Sequence, residues 1–219
     1  MSHPVSSAAG EFPLQIRRRG LRPYRETWLE MRAFTEQRLP DTPDQLWLLQ
    51  HPPVFTLGTA GKAHHILDAG EIPVIESDRG GQVTYHGPGQ LVAYLLLDLK
   101  RHRMGVRRLV TAMERSVIQL LAAHGIRGVS RPDAPGVYVE DAKIAALGLR
   151  IRRGCCYHGL SLNVEMDLSP FERINPCGYE GLAVTSLSEL GLPLTIPQVE
   201  SLLTRYIMHQ LQQAAGESR

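Results

Sequence analysis

Apolar residues recur with helical spacing in three stretches of the chain and with strand spacing in most of the others. Tyr24, Trp28, Met31 and Phe34 fall on one helical face, which predicts a helix from Tyr24 to Leu39, ended by Pro40 and Pro43. Val106, Leu109, Val110, Met113, Val117, Leu120 and Leu121 make the clearest stripe, predicting a helix from Val106 to His124 with Gly125 as its stop. A terminal helix is predicted over Pro197–Gln213, with Pro197 in its first turn and Val199, Leu202, Leu203, Tyr206 and Leu211 on its apolar face. Strands are expected at Leu14–Arg18, at Leu46–Leu49 and Val54–Leu57 across His51-Pro52-Pro53, at Pro73–Glu76 and at Gly81–Tyr85. Leu91–Leu97 is apolar almost without interruption, which places it centrally in a sheet. Gly136–Glu140 and Lys143–Arg152 read as a hairpin about Glu140-Asp141-Ala142. Tyr157–Met166 follows, with Leu160, Leu162 and Val164 alternating inward, and Asp167–Pro176 reads as a loop with one helical turn. Early alternation of helices and strands, then hairpins, gives an α/β or α+β fold with one mixed sheet covered by helices. Residues 1–12 are expected as a flexible tail, 13–214 as a single domain and 215–219 as a C-terminal tail.

Composition narrows the class. A chain of 219 residues buries roughly 70% of its unfolded surface, enough for a core without staples. Hydrophobic residues at 43% and charged residues at 21% are ordinary for a soluble globular protein. The net charge of +2 and the short basic runs Arg17–Arg19 and Arg150–Arg153 do not make a nucleic-acid arm. Three cysteines, two of them adjacent, argue against a disulfide framework and for a reducing compartment. Met1–Gly20 has no apolar stretch of the secretory kind, and Leu91–Leu97 stops at Asp98, far short of a membrane span. The expected location is the cytoplasm, with no membrane or nucleic acid as partner.

Chemistry concentrates in three places. Asn175-Pro176-Cys177-Gly178-Tyr179 sets a thiol between a residue that fixes φ and one that frees it, in polar surroundings that suit a presented nucleophile. Arg79-Gly80-Gly81-Gln82-Val83-Thr84-Tyr85-His86-Gly87-Pro88-Gly89-Gln90 is either a pair of tight turns or the wall of a channel for an extended ligand. It is neither a phosphate loop nor a dinucleotide fingerprint, because no Gly-Lys-Ser/Thr follows and the glycine spacing is wrong. A free thiol is only a few per cent ionised at neutral pH, and Lys143, His86 and His158 are the candidate cations to correct that. By residue type Cys155, Cys156, His158 and Cys177 also make a zinc set, but adjacent strand cysteines face opposite ways, and no metal is expected.

Together, Arg79–Gln90, Lys143–Ile151, His158–Asn163, Asn175–Gly178 and His51–Gly58 resemble the bacterial octanoyltransferases, in order and over roughly Leu14–Leu211. The resemblance implies the mixed-sheet fold of lipoate- and biotin-protein ligases, with 13–214 as the catalytic domain. It implies transfer of octanoyl from octanoyl-acyl carrier protein to a lysine of lipoyl domains, those of 2-oxoacid dehydrogenases and of the glycine cleavage H protein, without a cofactor and as a monomer. Carried over, Cys177 holds the acyl thioester and Lys143 lowers its pKa. Arg79, Gly80, Gly81, Gln82, Val83, Thr84, Tyr85 and His86, with Ala146, Leu147, Gly148, Gly159, Leu160 and Ser161, line the acyl site. Two other readings stand beside it: an ATP-dependent lipoate ligase on the same fold, and a non-catalytic module that binds a lipoyl domain or acyl carrier protein.

Overall fold

The computed structural model describes residues 12–216, with Cys177 described by its backbone alone. In chain order the elements are β1 (Gln15–Leu21), α1 (Tyr24–Glu36), β2 (Gln45–Gln50), β3 (Val54–Leu57), β4 (Val74–Glu76), β5 (Val83–His86), β6 (Gln90–Asp98) and α2 (Val106–Ala122). Then come β7 (Gly128–Ser130), β8 (Gly136–Val139), β9 (Ala142–Arg152), β10 (Cys155–Asn163) and α3 (Ile196–Gly216). Short 3₁₀ turns occupy Ser169–Arg173 and Pro176–Gly178.

A seven-stranded mixed sheet runs β1-β2-β6-β10-β9-β8-β7, parallel at β1–β2 and antiparallel elsewhere. Its central strands are buried on both faces, the physical reason that β6 reads as an unbroken apolar run. Leu46 and Leu48, with Leu91, Ala93, Leu95 and Leu97, pack in one cluster with the apolar stripes of α2 and α3. Trp47, Leu49, Val92, Tyr94 and Leu96 pack on the other face with Met31, Trp28 and Phe34 of α1.

The sequence predicts one sheet, and the structure has two. After β2 the chain passes His51-Pro52-Pro53 and enters a separate sheet ordered β4-β3-β5. Its own core is Phe55, Leu57, Val83, Tyr85, Phe171 and Ile174. Two prolines without N–H donors end the ladder of β2, so β3 does not become its neighbour. The ends also differ. Phe12, expected in the tail, is buried and lies 4.2 Å from the His102 ring. Ala215 and Gly216 continue α3. The rest of the expected tails lies outside the described residues. Among the described residues, no helix is long and apolar enough to cross a membrane.

One distortion of β10 shapes the site. His158 has φ +63°, a left-handed conformation that costs a non-glycine residue about 1–3 kcal/mol. Its neighbour Gly159 has no room for a side chain, since a Cβ would stand 2.0 Å from the Ala93 carbonyl oxygen. The strained residue is held in place: His158 Nε2–H donates to Asp78 Oδ1 at 3.0 Å, and the Tyr157 hydroxyl donates to the same carboxylate.

Candidate active site

A cavity of about 50 Å³ lies between the Arg79–Gln82 loop, β5, β9 and β10, with Val92 and Tyr94 of β6 beneath it and Tyr24 at one end. Arg79, Gly81, Gln82, Val83, Thr84 and His86 contribute to its lining, as do Ala146, Leu147, Gly148, Gly159, Leu160 and Ser161. Two residues of the expected set lie elsewhere. Gly80 faces an adjoining compartment of about 290 Å³, which shares Gly81, Gln82, Leu147 and Gly148 and adds Val106, Val110, Pro135 and Tyr179. Tyr85 turns away into the small-sheet core, its ring 5.6 Å from Phe55 and 5.5 Å from Phe171.

The loop that walls the cavity is built on a buried cation. The Arg79 guanidinium donates to the Thr56 carbonyl at 2.6 Å, to Gln82 O at 2.7 Å and to Gly80 O at 2.9 Å. Gly80 N–H in turn donates to Leu149 O of β9 at 2.9 Å. A Cβ on Gly148 would stand 2.9 Å from Gly80 O, so the loop lies backbone against backbone where a side chain would hold it off.

A buried polar cluster closes one end. His51 Nδ1 lies 2.6 Å from the Arg22 carbonyl oxygen, which only accepts, so Nδ1 carries the proton and Nε2 accepts from the Tyr94 hydroxyl at 2.7 Å. His86 Nδ1 donates to Gln90 Oε1 at 2.7 Å, because the Gln90 amide group is already donating to Asn163 Oδ1 at 2.9 Å. Burial pushes His51 down to about 4, against the pull of its Arg22 hydrogen bond. Burial also takes His86 well below the ordinary histidine range and lowers His158 despite Asp78. Burial pushes the Asp78 carboxyl up, but hydrogen bonds from His158, Tyr157 and Trp28 outweigh it and hold it at about 2.

These shifts set a pH dependence of stability. The histidines are neutral in the fold and titrate near 6.5 when unfolded, so the unfolded chain binds more protons between that value and the folded one. Stability is full above about pH 6.5 and falls as the pH drops toward 4, by about 1 kcal/mol per pH unit for His51 alone. Urea denaturation at pH 7.5 and 5.5 checks this. The slope should shrink in His51→Gln, and equal stability at both pH values in the wild type contradicts it.

Lys143 is not among the residues that line the cavity; it sits on β9 opposite Tyr138 of β8. Lys143 is 4% exposed, with Nζ 5.3 Å from the Tyr138 ring centroid. Its N–H donates to Ala183 O at 2.8 Å, and its carbonyl accepts from Thr185 N–H at 3.0 Å, so the segment that follows the Cys177 turn runs alongside the lysine. The Tyr179 hydroxyl donates to Asp133 O at 3.3 Å, joining that turn to the approach to β8. Gly178 has φ +80°, and a Cβ there would meet Gln82 Cγ and His65 Nε2, each at 3.4 Å. The backbone turn that carries Cys177 therefore abuts Gln82, which both compartments share. Backbone N–H groups near Cys177-Gly178 or of the 146–148 strand are the candidate oxyanion donors, and of these Gly178 N–H already donates to Asn175 O at 2.9 Å. Tyr24, His51, Asp78, Tyr94 and His65 were missed as contributors. Asp78, directly before the glycine loop, was the signal available for one of them.

A mixed sheet covered by helices on both faces is the fold this chain shares with solved lipoate- and biotin-protein ligases. Lipoate-protein ligase A bound with ATP superposes with a TM-score of 0.71 at 15% identity, covering 94% of this chain and 93% of that one. Biotin protein ligase from Aquifex aeolicus gives 0.55 at 14% identity, covering 93% of this chain and 70% of that one. The expected fold class is the observed one. Residues 23–208 match the lipoyl protein ligase A/B catalytic domain. An octanoyltransferase from Alkalilimnicola ehrlichii is 60% identical over 198 residues, 90% of this chain and 92% of its own. The chain belongs to that family, on its octanoyltransferase branch, and is an acyltransferase.

Proposed function

We propose that the protein carries octanoyl from octanoyl-acyl carrier protein to a lysine of lipoyl domains, those of 2-oxoacid dehydrogenases and the glycine cleavage H protein, through a thioester on Cys177. The observation that carries this reading is the pairing of 60% identity to an octanoyltransferase with one narrow cavity walled by the 79–86, 146–148 and 159–161 segments. In the first half-reaction the Cys177 thiolate attacks the donor carbonyl. A C–S bond forms to Cys177, the C–S bond to the carrier breaks, and the departing thiolate takes a proton. In the second, the substrate amine attacks, a C–N bond forms, the C–S bond to Cys177 breaks, and the amine gives up a proton. One thioester replaces another and then becomes an amide, so no ATP is consumed. Lys143 serves as the ammonium that favours the thiolate and, as free amine, accepts the proton of the incoming lysine. The acyl chain occupies the cavity between the Arg79–His86 segment, Ala146–Gly148 and Gly159–Ser161 and extends into the adjoining compartment of about 290 Å³ that shares Gly81, Gln82, Leu147 and Gly148. Residues 13–214 act as one catalytic domain, as a monomer in the cytoplasm.

The likeness to a ligase crystallised with ATP keeps one rival in play. Octanoyl-acyl carrier protein without ATP, and free octanoate with ATP, are supplied in parallel with an apo lipoyl domain, and the product is read by intact mass. The proposal expects octanoylated domain in the first arm alone. Product in the second arm alone makes the protein a ligase.

A further inference from the structure

The buried face of α2 contains one charged residue. Glu114 lies between Met113 and Val117 and is 8% exposed. A carboxylate taken out of water is costly unless hydrogen bonds and an opposite charge compensate it. Its Oε1 accepts from Gly136 N–H at 3.1 Å. Gly136 has φ +146°, and a Cβ built on it would stand 2.4 Å from Lys143 Cε, 3.2 Å from Lys143 Nζ and 2.7 Å from Ala145 O. The carboxylate and the lysine side chain therefore meet the same glycine, and the lysine fits only because that residue has no side chain. On the far side the Tyr138 ring offers its π-face to the ammonium. Burial pushes the Glu114 carboxyl up, while the Gly136 N–H and the charge of Lys143 pull it down, so carboxylate and ammonium sense each other.

We infer that Glu114 is a positioning residue for Lys143: through Gly136 it fixes the surface on which the lysine lies, and its carboxylate holds the lysine side chain at that glycine. The inference rests on the role proposed above for Lys143. A neutral acceptor, such as a glutamine amide oxygen, would satisfy Gly136 N–H equally well, so the charge needs a second reason, and the lysine supplies it.

The sequence makes the test clean. The chain has three lysines, Lys62, Lys100 and Lys143, and the first two are exposed. Lysine labelled with ¹³C at Cε gives three signals in the full-length protein, and Lys143→Met assigns the third. The Lys143 signal is expected to shift in Glu114→Gln and, by less, in Glu114→Asp, which keeps the charge but shortens the side chain by one methylene. Octanoyl transfer by Glu114→Gln should lose about tenfold in kcat with KM little changed, and should lose nothing further when added to Lys143→Met. A Lys143 signal that Glu114→Gln leaves at its wild-type position overturns the inference. If Lys143→Met leaves the reactivity of Cys177 unchanged, the proposed role of Lys143 fails, while the NMR result still decides whether Glu114 positions the lysine. If Glu114→Gln does not fold, the same signal in Glu114→Asp is decisive: a shift supports the inference, and an unmoved signal in a variant whose carboxylate is drawn back from Gly136 overturns it.

Discussion

Cys177→Ser is expected to take up no thioester-linked octanoyl from octanoyl-acyl carrier protein and to transfer octanoyl to a lipoyl domain at least ~10³-fold more slowly than wild type. A thiol is already a few per cent ionised at neutral pH, and a nearby cation raises that fraction. A serine hydroxyl is far less acidic, so the same cation leaves it protonated. Any oxyester that formed would also be a poorer donor to an amine than the thioester it replaces. The other thiols cannot substitute. Burial holds Cys156 at about 12, and its sulfur donates to Leu95 O at 3.3 Å in the core between the sheet and α2. Burial, then the charge of Asp98, pushes Cys155 up as well. Intact mass before and after hydroxylamine reads the experiment, since hydroxylamine removes thioesters and spares amides. A hydroxylamine-labile octanoyl adduct on Cys177→Ser, with normal transfer, places the nucleophile elsewhere.

Much of the fold was legible because burial writes itself into periodicity. Leu91–Leu97 reads as a central strand because β6 is covered on both faces, and the α2 stripe reads as a helix because one face meets the sheet and α3. Partner choice is not written that way. β2 and β3 both read as strands, but nothing in their periodicity says that two prolines between them move the chain to a second sheet. β7, at three residues, is too short to show a period. The cavity-wall segments were legible as glycine-rich or as part of a resemblance, while their internal division was not. Tyr85 sits between Thr84 and His86, and strand alternation sends it to the opposite face. The polar cluster was the least legible part. Tyr24, His51, His86, Tyr94 and His158 come from five separate segments, and rings 5.2 to 6.5 Å apart in space are far apart in sequence. Glu114 was hidden for a related reason: a stripe is read by its apolar members, so a buried acid within it looks like a solvated position.

Lys143→Met should slow the alkylation of Cys177 at pH 7 by about 10- to 100-fold and octanoyl transfer by about 100-fold, while leaving the slow reaction of Cys155 unchanged. Methionine keeps the length and most of the volume of the side chain, so the loss isolates the charge. An opposite charge close to a thiolate is worth one to two units of thiolate stabilisation, about 1.4 kcal/mol each, and the thiolate is the form that reacts. Transfer loses more than alkylation because the second half-reaction also gives up its proton acceptor. Lys143→Arg should not restore activity. A Cβ at Gly136 would already stand 2.4 Å from Lys143 Cε, and the broader guanidinium has no space beside it. The substitution carries a stability cost that the mechanism alone does not predict. Removing the ammonium takes away the attraction that Lys143 exerts on the buried Glu114 carboxylate, so Lys143→Met should be less stable than wild type in urea. Protonating the carboxylate relieves that penalty, so the difference in urea stability between Lys143→Met and wild type should narrow as the pH falls toward 5. If the variant alkylates at the wild-type rate across pH 6–9, the thiolate does not depend on this lysine, and its activation must come from another group near the Pro176–Gly178 turn.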